Sequence, residues 1–256
     1  MDVFVIIQAR AGSTRLPEKV LLPILEKPVL KWVVDRMHLC SEVNHVMVAT
    51  TDSSQDDSVE KLCGSINIPC FRGSENDVLD RYYQAACFFS AKNNDIIVRI
   101  TGDCPFIDFA ICDDVIKLLK TTGADYASNV SPPSFPDGLD CEAFSFQTLK
   151  KAWTQASKNF EREHVTQYIV KNPQLFTIAN HTASEDNSEM RWTIDYPDDY
   201  RFLSAIAERL GCYDFTYVDV LNLLKNEPSF MDINKNYKRN IGLEISINNE
   251  ITGEVS

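Results

Sequence analysis

The sequence has no long apolar run, few glycines and a deficit of basic side chains. No stretch reaches the roughly 18 apolar residues that a membrane span requires. The 25 lysines and arginines are outnumbered by 37 aspartates and glutamates, which gives a formal net charge of −12. This charge argues against a dedicated binder of duplex DNA or anionic membranes, because such proteins need a basic surface. We therefore expect neither a nucleic-acid partner nor a membrane partner.

Two further absences bear on the class of protein. The apolar amino terminus lacks a basic leader region and is too short for a signal peptide, so we predict a strand there. The eight cysteines show no Cys-x-x-Cys spacing and no nearby histidine at metal-ligand spacing. We expect free thiols that are mostly buried, in a protein of the reducing cytoplasm. With 44% hydrophobic residues, 9 glycines and 11 prolines in 256 residues, the chain has the composition of a globular protein.

Short apolar runs alternate with stretches of helical period in the first half of the chain. The runs predict strands at 3–7, 46–49, 68–71 and 95–100, and the periodic stretches predict helices at 29–39, 55–63, 78–89 and 109–119. Strict alternation of this kind is typical of an α/β fold. It predicts a mostly parallel, doubly wound sheet with helices on both faces.

The second half of the chain is less regular. Its patterns predict strands at 126–128, 176–180 and 190–194, helices at 146–157, 162–170, 197–210 and 218–224, and a Pro-rich loop at 131–138. No internal repeat or linker is visible. We therefore predict a single domain over 1–239, followed by a weakly structured tail over 240–256.

The loop directly after the first strand is rich in cations. Arg10, Arg15 and Lys19 lie there among the small residues Ala9, Gly12 and Ser13. Ligands of open α/β sheets bind at the carboxyl ends of strands, small residues let backbone N–H groups approach phosphate, and arginine contacts phosphate with a fork of donors. The loop fits neither Gly-x4-Gly-Lys-[Ser/Thr] nor Gly-x-Gly-x-x-Gly. It predicts a polyphosphate site, with a merely solvated cationic loop as the alternative.

Two aspartates follow predicted strands. Asp103 comes after Thr101 at the end of the fourth strand, and Asp195 stands between a predicted strand and a helix that begins at Pro197. Mg²⁺ prefers one or two carboxylates together with phosphate oxygens and water. We predict that the two aspartates share a metal site, with helix-capping aspartates as the alternative for each.

Six ordered segments resemble a known family. They lie at 8–19, 72–82, 101–105 (Thr-Gly-Asp-Cys-Pro), 135–140, 162–166 and 191–195. Together they are similar to the spore-coat polysaccharide protein F family. This family belongs to the cytidylyltransferase superfamily, with the 3-deoxy-manno-octulosonate and acylneuraminate cytidylyltransferases. The resemblance extends over about residues 3–225.

The resemblance implies a Rossmann-like nucleotide-diphospho-sugar transferase fold and the use of CTP with Mg²⁺. It assigns the triphosphate-binding loop to Arg10, Ser13, Arg15 and Lys19, and the metal ligands to Asp103 and Asp195. The implied reaction moves CMP from CTP to a sugar acid or phosphorylated acceptor and releases pyrophosphate, in cytoplasmic synthesis of a surface polysaccharide. Position 196 is tyrosine where relatives often have threonine, which points to a changed acceptor pocket.

Further residues have expected roles in binding. Arg72 and Ser74 fall in the segment that resembles the nucleotide pocket, whereas Asp77 and Arg81 alternatively form a solvated helix pair. The expected acceptor contacts are Asp137, Asp140, Glu142, Arg162 and His164, with a buried helix histidine as the alternative for His164. Because related enzymes are often dimers, a homodimer with an interface at 160–200 is expected by analogy.

Two other functions stay open at this point. A metal-dependent glycosyltransferase with a nucleotide-sugar donor would need an Asp-x-Asp pair, which the Asp-Cys-Pro at 103–105 does not supply. A non-enzymatic nucleotide sensor would not need the complete set of cations and carboxylates. Turnover and the identity of the donor nucleotide distinguish these alternatives from cytidylyl transfer.

Overall fold

The computed structural model describes residues 1–252 and contains a seven-stranded sheet of order β5-β4-β1-β6-β8-β7-β9. The strands are β1 (Val3–Gln8), β4 (His45–Thr51), β5 (Cys70–Gly73), β6 (Ile96–Thr101), β7 (Tyr126–Ser128), β8 (Glu142–Ser145) and β9 (Ile178–Asn180). β2 (Pro23–Ile24) and β3 (Lys27–Pro28) form a separate antiparallel pair. All neighbouring strands of the large sheet pair in parallel except β8, which is antiparallel to β6 and β7.

Helices cover the sheet and its carboxyl edge. They are α1 (Val29–Met37), α2 (Asp57–Ser65), α3 (Val78–Phe88), α4 (Phe109–Thr122), α5 (Phe146–Gln155), α6 (Asn159–Glu163), α7 (Gln167–Val170), α8 (Pro197–Leu210), α9 (Tyr217–Asn226) and α10 (Ile241–Thr252). Short 3₁₀ turns lie at Lys19–Leu21, Ser54–Asp56 and Pro228–Asp232. Among the described residues, no helix has both the length and the apolar character that crossing a bilayer requires.

The core has two faces because successive side chains of a strand point to opposite sides. Val5 and Ile7 of β1 pack in the cluster that includes α1, α2 and α4, whereas Phe4 and Ile6 pack in the cluster that includes α3 and α5. Both faces of β1 are therefore buried, which explains its continuous apolar sequence. This arrangement confirms the prediction of a mostly parallel, doubly wound α/β sheet.

Two predicted elements differ from the structure, and one strand of the structure was not predicted. No strand forms over 190–194, where Arg191 makes a single bridge with Asp137. The predicted helix at 162–170 is divided into α6 and α7 at 164–166, because Val165 adopts a left-handed backbone conformation with φ of 53°. This conformation is unfavourable for a β-branched residue and cannot continue a helix. β8 was not predicted, and it places Glu142 inside the sheet.

The expectation of a weakly structured tail from residue 240 is wrong for α10. This helix packs against α6, where Ser246 lies 3.1 Å from the His164 ring and donates to Glu163 at 2.8 Å. Glu250 accepts a hydrogen bond from the Asn159 backbone at 3.0 Å. These contacts are tertiary, so the periodicity of the segment alone gave no signal for them. Residues 253–256 lie outside the described residues, and the domain limit at 239 stays a prediction.

Candidate active site

The cationic loop begins at the carboxyl end of β1 and is held by hydrogen bonds to a buried aspartate. Buried Asp56 accepts a hydrogen bond from the Ala11 backbone at 2.6 Å, and its carboxylate also accepts from Thr51. A side chain on Gly12 would meet Gln55 Oε1 at 2.9 Å, so the loop passes close to its neighbour there. The loop therefore has a fixed course, although the Arg10 side chain at its start is 52% exposed.

Lys19 joins the two predicted metal-binding aspartates. Its Nζ lies 2.5 Å from Asp103 Oδ2 and 2.8 Å from Asp195 Oδ1. Burial would lower the pKa of Lys19, but the two carboxylates outweigh burial and raise it. Burial would likewise raise the pKa of Asp195, but Lys19, Arg15 and Arg191 lower it to about 2. Both carboxylates thus converge on one cation at the carboxyl edge of the sheet.

The backbone explains why Asp103 and Asp195 meet. Asp103 follows β6, and its carbonyl accepts a hydrogen bond from the Ile194 backbone at 2.9 Å. Asp195 stands just before α8, where Asp199 accepts from the backbone N–H groups of Asp195 and Tyr196 at 3.0 Å each. Asp199 therefore caps the helix, which leaves the Asp195 carboxylate available to the site.

Arg15 approaches the same carboxylate from the cationic loop. Its guanidinium lies 2.8 Å from Asp195 Oδ1 and donates to the Tyr196 hydroxyl at 3.3 Å. The guanidinium also lies 4.8 Å from the centre of the Tyr196 ring. Tyr196 stacks on Tyr237 with 4.1 Å between ring centres. Tyr196 thus links the cationic loop to the C-terminal segment.

Arg191 lines the same site, although its sequence pattern predicted no role for it. Its side chain is only 6% exposed, and it pairs with Asp137 at 2.7 Å, Asp195 at 2.7 Å and Asp199 at 3.0 Å. Burial and the nearby Asp140 carboxyl raise the pKa of Asp137 to about 7, although Arg191 opposes this shift. The one sequence signal for this role was the position of Arg191 four residues before Asp195, a spacing at which oppositely charged side chains can pair. Arg191 fixes the orientation of three carboxylates at once.

Gly138 allows the Pro-rich loop to reach Arg191. It has φ of 106°, and a Cβ there would lie 2.5 Å from the backbone carbon of Trp192. We expect Gly138→Ala to lower the free energy of unfolding by about 2 kcal/mol or more, because backbone strain and overlap add. Gly123→Ala is the matched control, since Gly123 has φ of 65° but no atom near the added methyl. Urea unfolding measures both variants, and equal losses would contradict the close approach.

A cavity of about 430 Å³ opens beside Asp103 and Asp195. It is lined by eight of the predicted site residues, namely Arg15, Thr101, Asp103, Asp137, Asp140, Glu142, His164 and Asp195. The C-terminal segment closes one side through Lys238 and Asn240 to Leu243. Arg239 anchors this segment by donating to the Phe135 carbonyl at 2.9 Å and to the Asp140 carboxylate. The supposed tail therefore forms a wall of the site.

Five other predicted residues lie in the loop beside the cavity and do not line it. These are Ala9, Arg10, Gly12, Ser13 and Lys19, all near the carboxyl end of β1. Lys19 reaches the site through the two aspartates. The loop and the cavity thus adjoin each other where the Lys19 ammonium meets Asp103 and Asp195.

Arg72 and Ser74 have structural partners. Arg72 donates to the Thr51 and Ser53 carbonyls at 3.0 and 2.7 Å and pairs with Asp57 and Glu60. The Ser74 hydroxyl accepts from the Asp77 backbone at 3.1 Å at the start of α3. Neither residue lines the cavity.

Arg162 also has structural partners and does not line the cavity, so its expected role as an acceptor contact stays a prediction. Its guanidinium holds Asp77 through Nε at 2.9 Å and a terminal nitrogen at 2.5 Å, and donates to the Trp153 carbonyl at 2.6 Å. The Asp77–Arg81 ion pair that was the alternative for these two residues is absent among the described residues, because buried Arg81 donates to the Ser74 carbonyl at 2.6 Å. His164 does line the cavity, where burial lowers its pKa.

The donor set fits Mg²⁺. Within residues 1–252 no cluster of three or more histidine, cysteine or carboxylate side chains could form a complete metal cage. Asp103 and Asp195 supply two carboxylates that already face a common cation. Two carboxylates completed by phosphate and water are what Mg²⁺ takes in nucleotide sites.

A family model described as cytidylyltransferase matches residues 4–220 of this chain. The chain belongs to the cytidylyltransferase family. This membership confirms the resemblance found in the sequence.

Relatives of this cytidylyltransferase agree in length and fold. The spore coat polysaccharide biosynthesis protein SpsF of Bacillus subtilis is 32% identical over 89% of this chain and 95% of its own. A solved cytidylyltransferase of Leptospira borgpetersenii is 35% identical, with a TM-score of 0.85 over 93% of this chain and 98% of that one. The 3-deoxy-manno-octulosonate cytidylyltransferase 2 of Hydrogenovibrio crunogenus is 34% identical over 59% of this chain and 60% of its own. The predicted nucleotidyltransferase fold is thereby confirmed.

Proposed function

We propose that this cytidylyltransferase moves CMP from CTP to a sugar acid or a phosphorylated acceptor and releases pyrophosphate. The observation that carries the proposal is the convergence of Asp103 and Asp195 on one cation, between the cationic loop and the cavity. The relative from Hydrogenovibrio is named for a sugar-acid acceptor, and the Bacillus relative is named for polysaccharide biosynthesis. Both names support an acceptor of this class and a role in making a surface glycan.

The chain's own residues would act by position and charge. Arg10, Arg15 and Lys19 hold the β- and γ-phosphates of CTP, which become the leaving pyrophosphate. Asp103 and Asp195 would hold Mg²⁺, which would supply charge neutralisation at the α-phosphate. An acceptor oxygen in the cavity attacks the α-phosphorus in line as the bond to the β-phosphate breaks. No covalent enzyme intermediate is required.

The acceptor side uses carboxylates. Asp137 and Asp140 line the cavity, and carboxylate oxygens accept hydrogen bonds from sugar hydroxyls. Arg191 and Arg239 hold these two side chains in place. We further propose a cytoplasmic homodimer with CTP and a small molecule as its ligands, and no nucleic-acid or membrane partner.

Thermal unfolding with added nucleotides tests the proposal. We expect CTP with Mg²⁺ to stabilise the protein more than UTP, ATP or GTP does. At 100 times its dissociation constant, CTP should raise the free energy of unfolding by about 2.7 kcal/mol over that of the ligand-free protein. The selectivity should weaken in Asp195→Asn and persist in Asp232→Asn, whose aspartate is 70% exposed and pairs only with Lys235 among the described residues. Stabilisation by a UDP-sugar and not by CTP would instead indicate a glycosyltransferase. No response to any nucleotide would contradict the proposal.

A further inference from the structure

Arg99 is a mostly buried arginine on β6, with a side chain that is 16% exposed, and the proposed reaction leaves it unused. Its side chain lines the cavity, and its only hydrogen-bond partner within residues 1–252 is the Glu142 carboxylate, reached through one terminal nitrogen. Its Nε is buried and has no partner there. A guanidinium has five N–H donors, so four of those of Arg99 have no protein acceptor within the described residues.

Glu142 holds Arg99 in place. The Glu142 side chain is 5% exposed and accepts hydrogen bonds from the Tyr126 and Thr166 hydroxyls at 2.6 Å each, in addition to Arg99. Three donors on one buried carboxylate leave little capacity for a ligand. We therefore assign Glu142 the role of a positioning residue for Arg99 in place of the expected acceptor contact.

The charges around Arg99 leave room for an anion. Each carboxylate that lines the cavity already has a basic partner: Asp103 has Lys19, Asp195 has Lys19, Arg15 and Arg191, Asp137 has Arg191, Asp140 has Arg239 and Glu142 has Arg99. Lys238 adds an exposed ammonium at the rim, with no ion-pair partner in the described part of the chain. The negative charge of these carboxylates is therefore balanced by basic side chains, which reduces their repulsion of an anion that enters the cavity.

We propose that Arg99 binds an anionic group of the acceptor, a carboxylate or a phosphate, at the floor of the cavity. This inference rests on the proposed function for the identity of its ligand as an acceptor. Buried polar donors without partners are costly, and an oxyanion would satisfy several N–H groups of one guanidinium at once. His164 lines the same cavity and provides a ring nitrogen near the bound group. Arg99 thus replaces Arg162 as the anion contact on the acceptor side.

Nitrogen-15 NMR of the arginine Nε–H groups tests this proposal on the full chain. The probes are pyruvate, which is a small 2-keto carboxylate, inorganic phosphate, and methyl pyruvate as the neutral analogue. We expect the Arg99 Nε–H signal, assigned through its own side-chain correlations, to shift with pyruvate or phosphate and not with methyl pyruvate. Stronger binding of pyruvate favours a sugar acid, and stronger binding of phosphate favours a phosphorylated acceptor.

Arg99→Lys retains the charge and removes the fork of donors. We expect it to weaken binding of the effective anion at least tenfold, whereas Arg209→Lys, at a 60% exposed arginine, should not change it. An Arg99 signal that no anion shifts in the wild-type protein would overturn the proposal, even if Arg99→Lys failed to fold. The CTP-selective thermal shift is measured separately. Its loss with a normal Arg99 response would contradict cytidylyl transfer and leave the anion site in place.

Discussion

Replacing Asp103 by asparagine is expected to lower turnover by about 10²- to 10³-fold, the range found when one electrostatic contact to a transition state is removed. Asparagine keeps the shape of the side chain but removes the charge that would hold Mg²⁺ beside the α-phosphate. The fold should remain, because Asp103 is partly exposed and Lys19 keeps its second partner, Asp195. CTP-dependent release of pyrophosphate measures turnover, and urea unfolding measures the stability of the same preparation.

Asp232→Asn provides the matched control for this variant. Asp232 lies in the 3₁₀ turn Pro228–Asp232 and pairs with Lys235 at the surface, so it should keep wild-type turnover. If Asp103→Asn turned over CTP as fast as this control, Asp103 would not lie at the reacting centre. A turnover loss accompanied by unfolding would also contradict the account, since we expect the two measurements to separate.

Replacing Arg191 by methionine is expected to lower the free energy of unfolding by about 3–5 kcal/mol, because removing one partner leaves buried charges uncompensated. Asp199 is fully buried, and Asp137 and Asp195 would also lose the guanidinium. Methionine preserves much of the apolar stem, so the loss reports mainly the charge. Urea unfolding at pH 7 measures it.

The loss of stability in Arg191→Met should depend on pH. Arg191 lowers the pKa of Asp137 and of Asp195. Without it the pKa of Asp137, which is already raised to about 7, should rise further in the folded state, and that of Asp195 should rise from about 2. A raised folded pKa means that the folded state binds more protons, so stability falls as pH rises between the unfolded and folded values. The deficit of Arg191→Met should therefore be largest at pH 7 and smaller near pH 5.

Arg209→Met is the control for the charge removed. The Arg209–Glu227 pair is exposed and should contribute at most about 1 kcal/mol. Equal stability of the two variants would contradict the central place of Arg191. A deficit in Arg191→Met that did not change between pH 7 and pH 5 would contradict its electrostatic origin.

The regular part of the fold was predictable because its signals are local. The apolar runs of β1, β4 and β6 and the helical periods of α1, α3 and α4 can be read within single segments. Because β1 and β6 are parallel neighbours, their carboxyl ends lie at the same edge of the sheet, which brings the cationic loop toward Asp103. Asp195 was predicted at this edge because it was expected to follow a strand. In the structure no strand precedes it, and the backbone hydrogen bond from Ile194 to Asp103 holds it there instead.

The partners of charged side chains were not predictable from local pattern. Arg162 and Asp77, or Arg239 and Asp140, are far apart in the sequence and meet only through the completed fold. The same holds for α10, whose polar contacts lie on α6. Glu142 and Arg99 pair across β6 and β8, and the antiparallel strand that makes this possible is only four residues long.

The transfer reaction itself tests the central claim most directly. The wild-type chain is incubated with α-labelled CTP, Mg²⁺, and either a 2-keto sugar acid or a sugar 1-phosphate, and the products are identified by mass. We expect a conjugate that contains CMP, together with one pyrophosphate for each conjugate formed, and both products about 10²- to 10³-fold more slowly from the Asp103→Asn variant. Pyrophosphate release without a CMP conjugate, or transfer of a sugar from a nucleotide-sugar donor in its place, would contradict cytidylyl transfer.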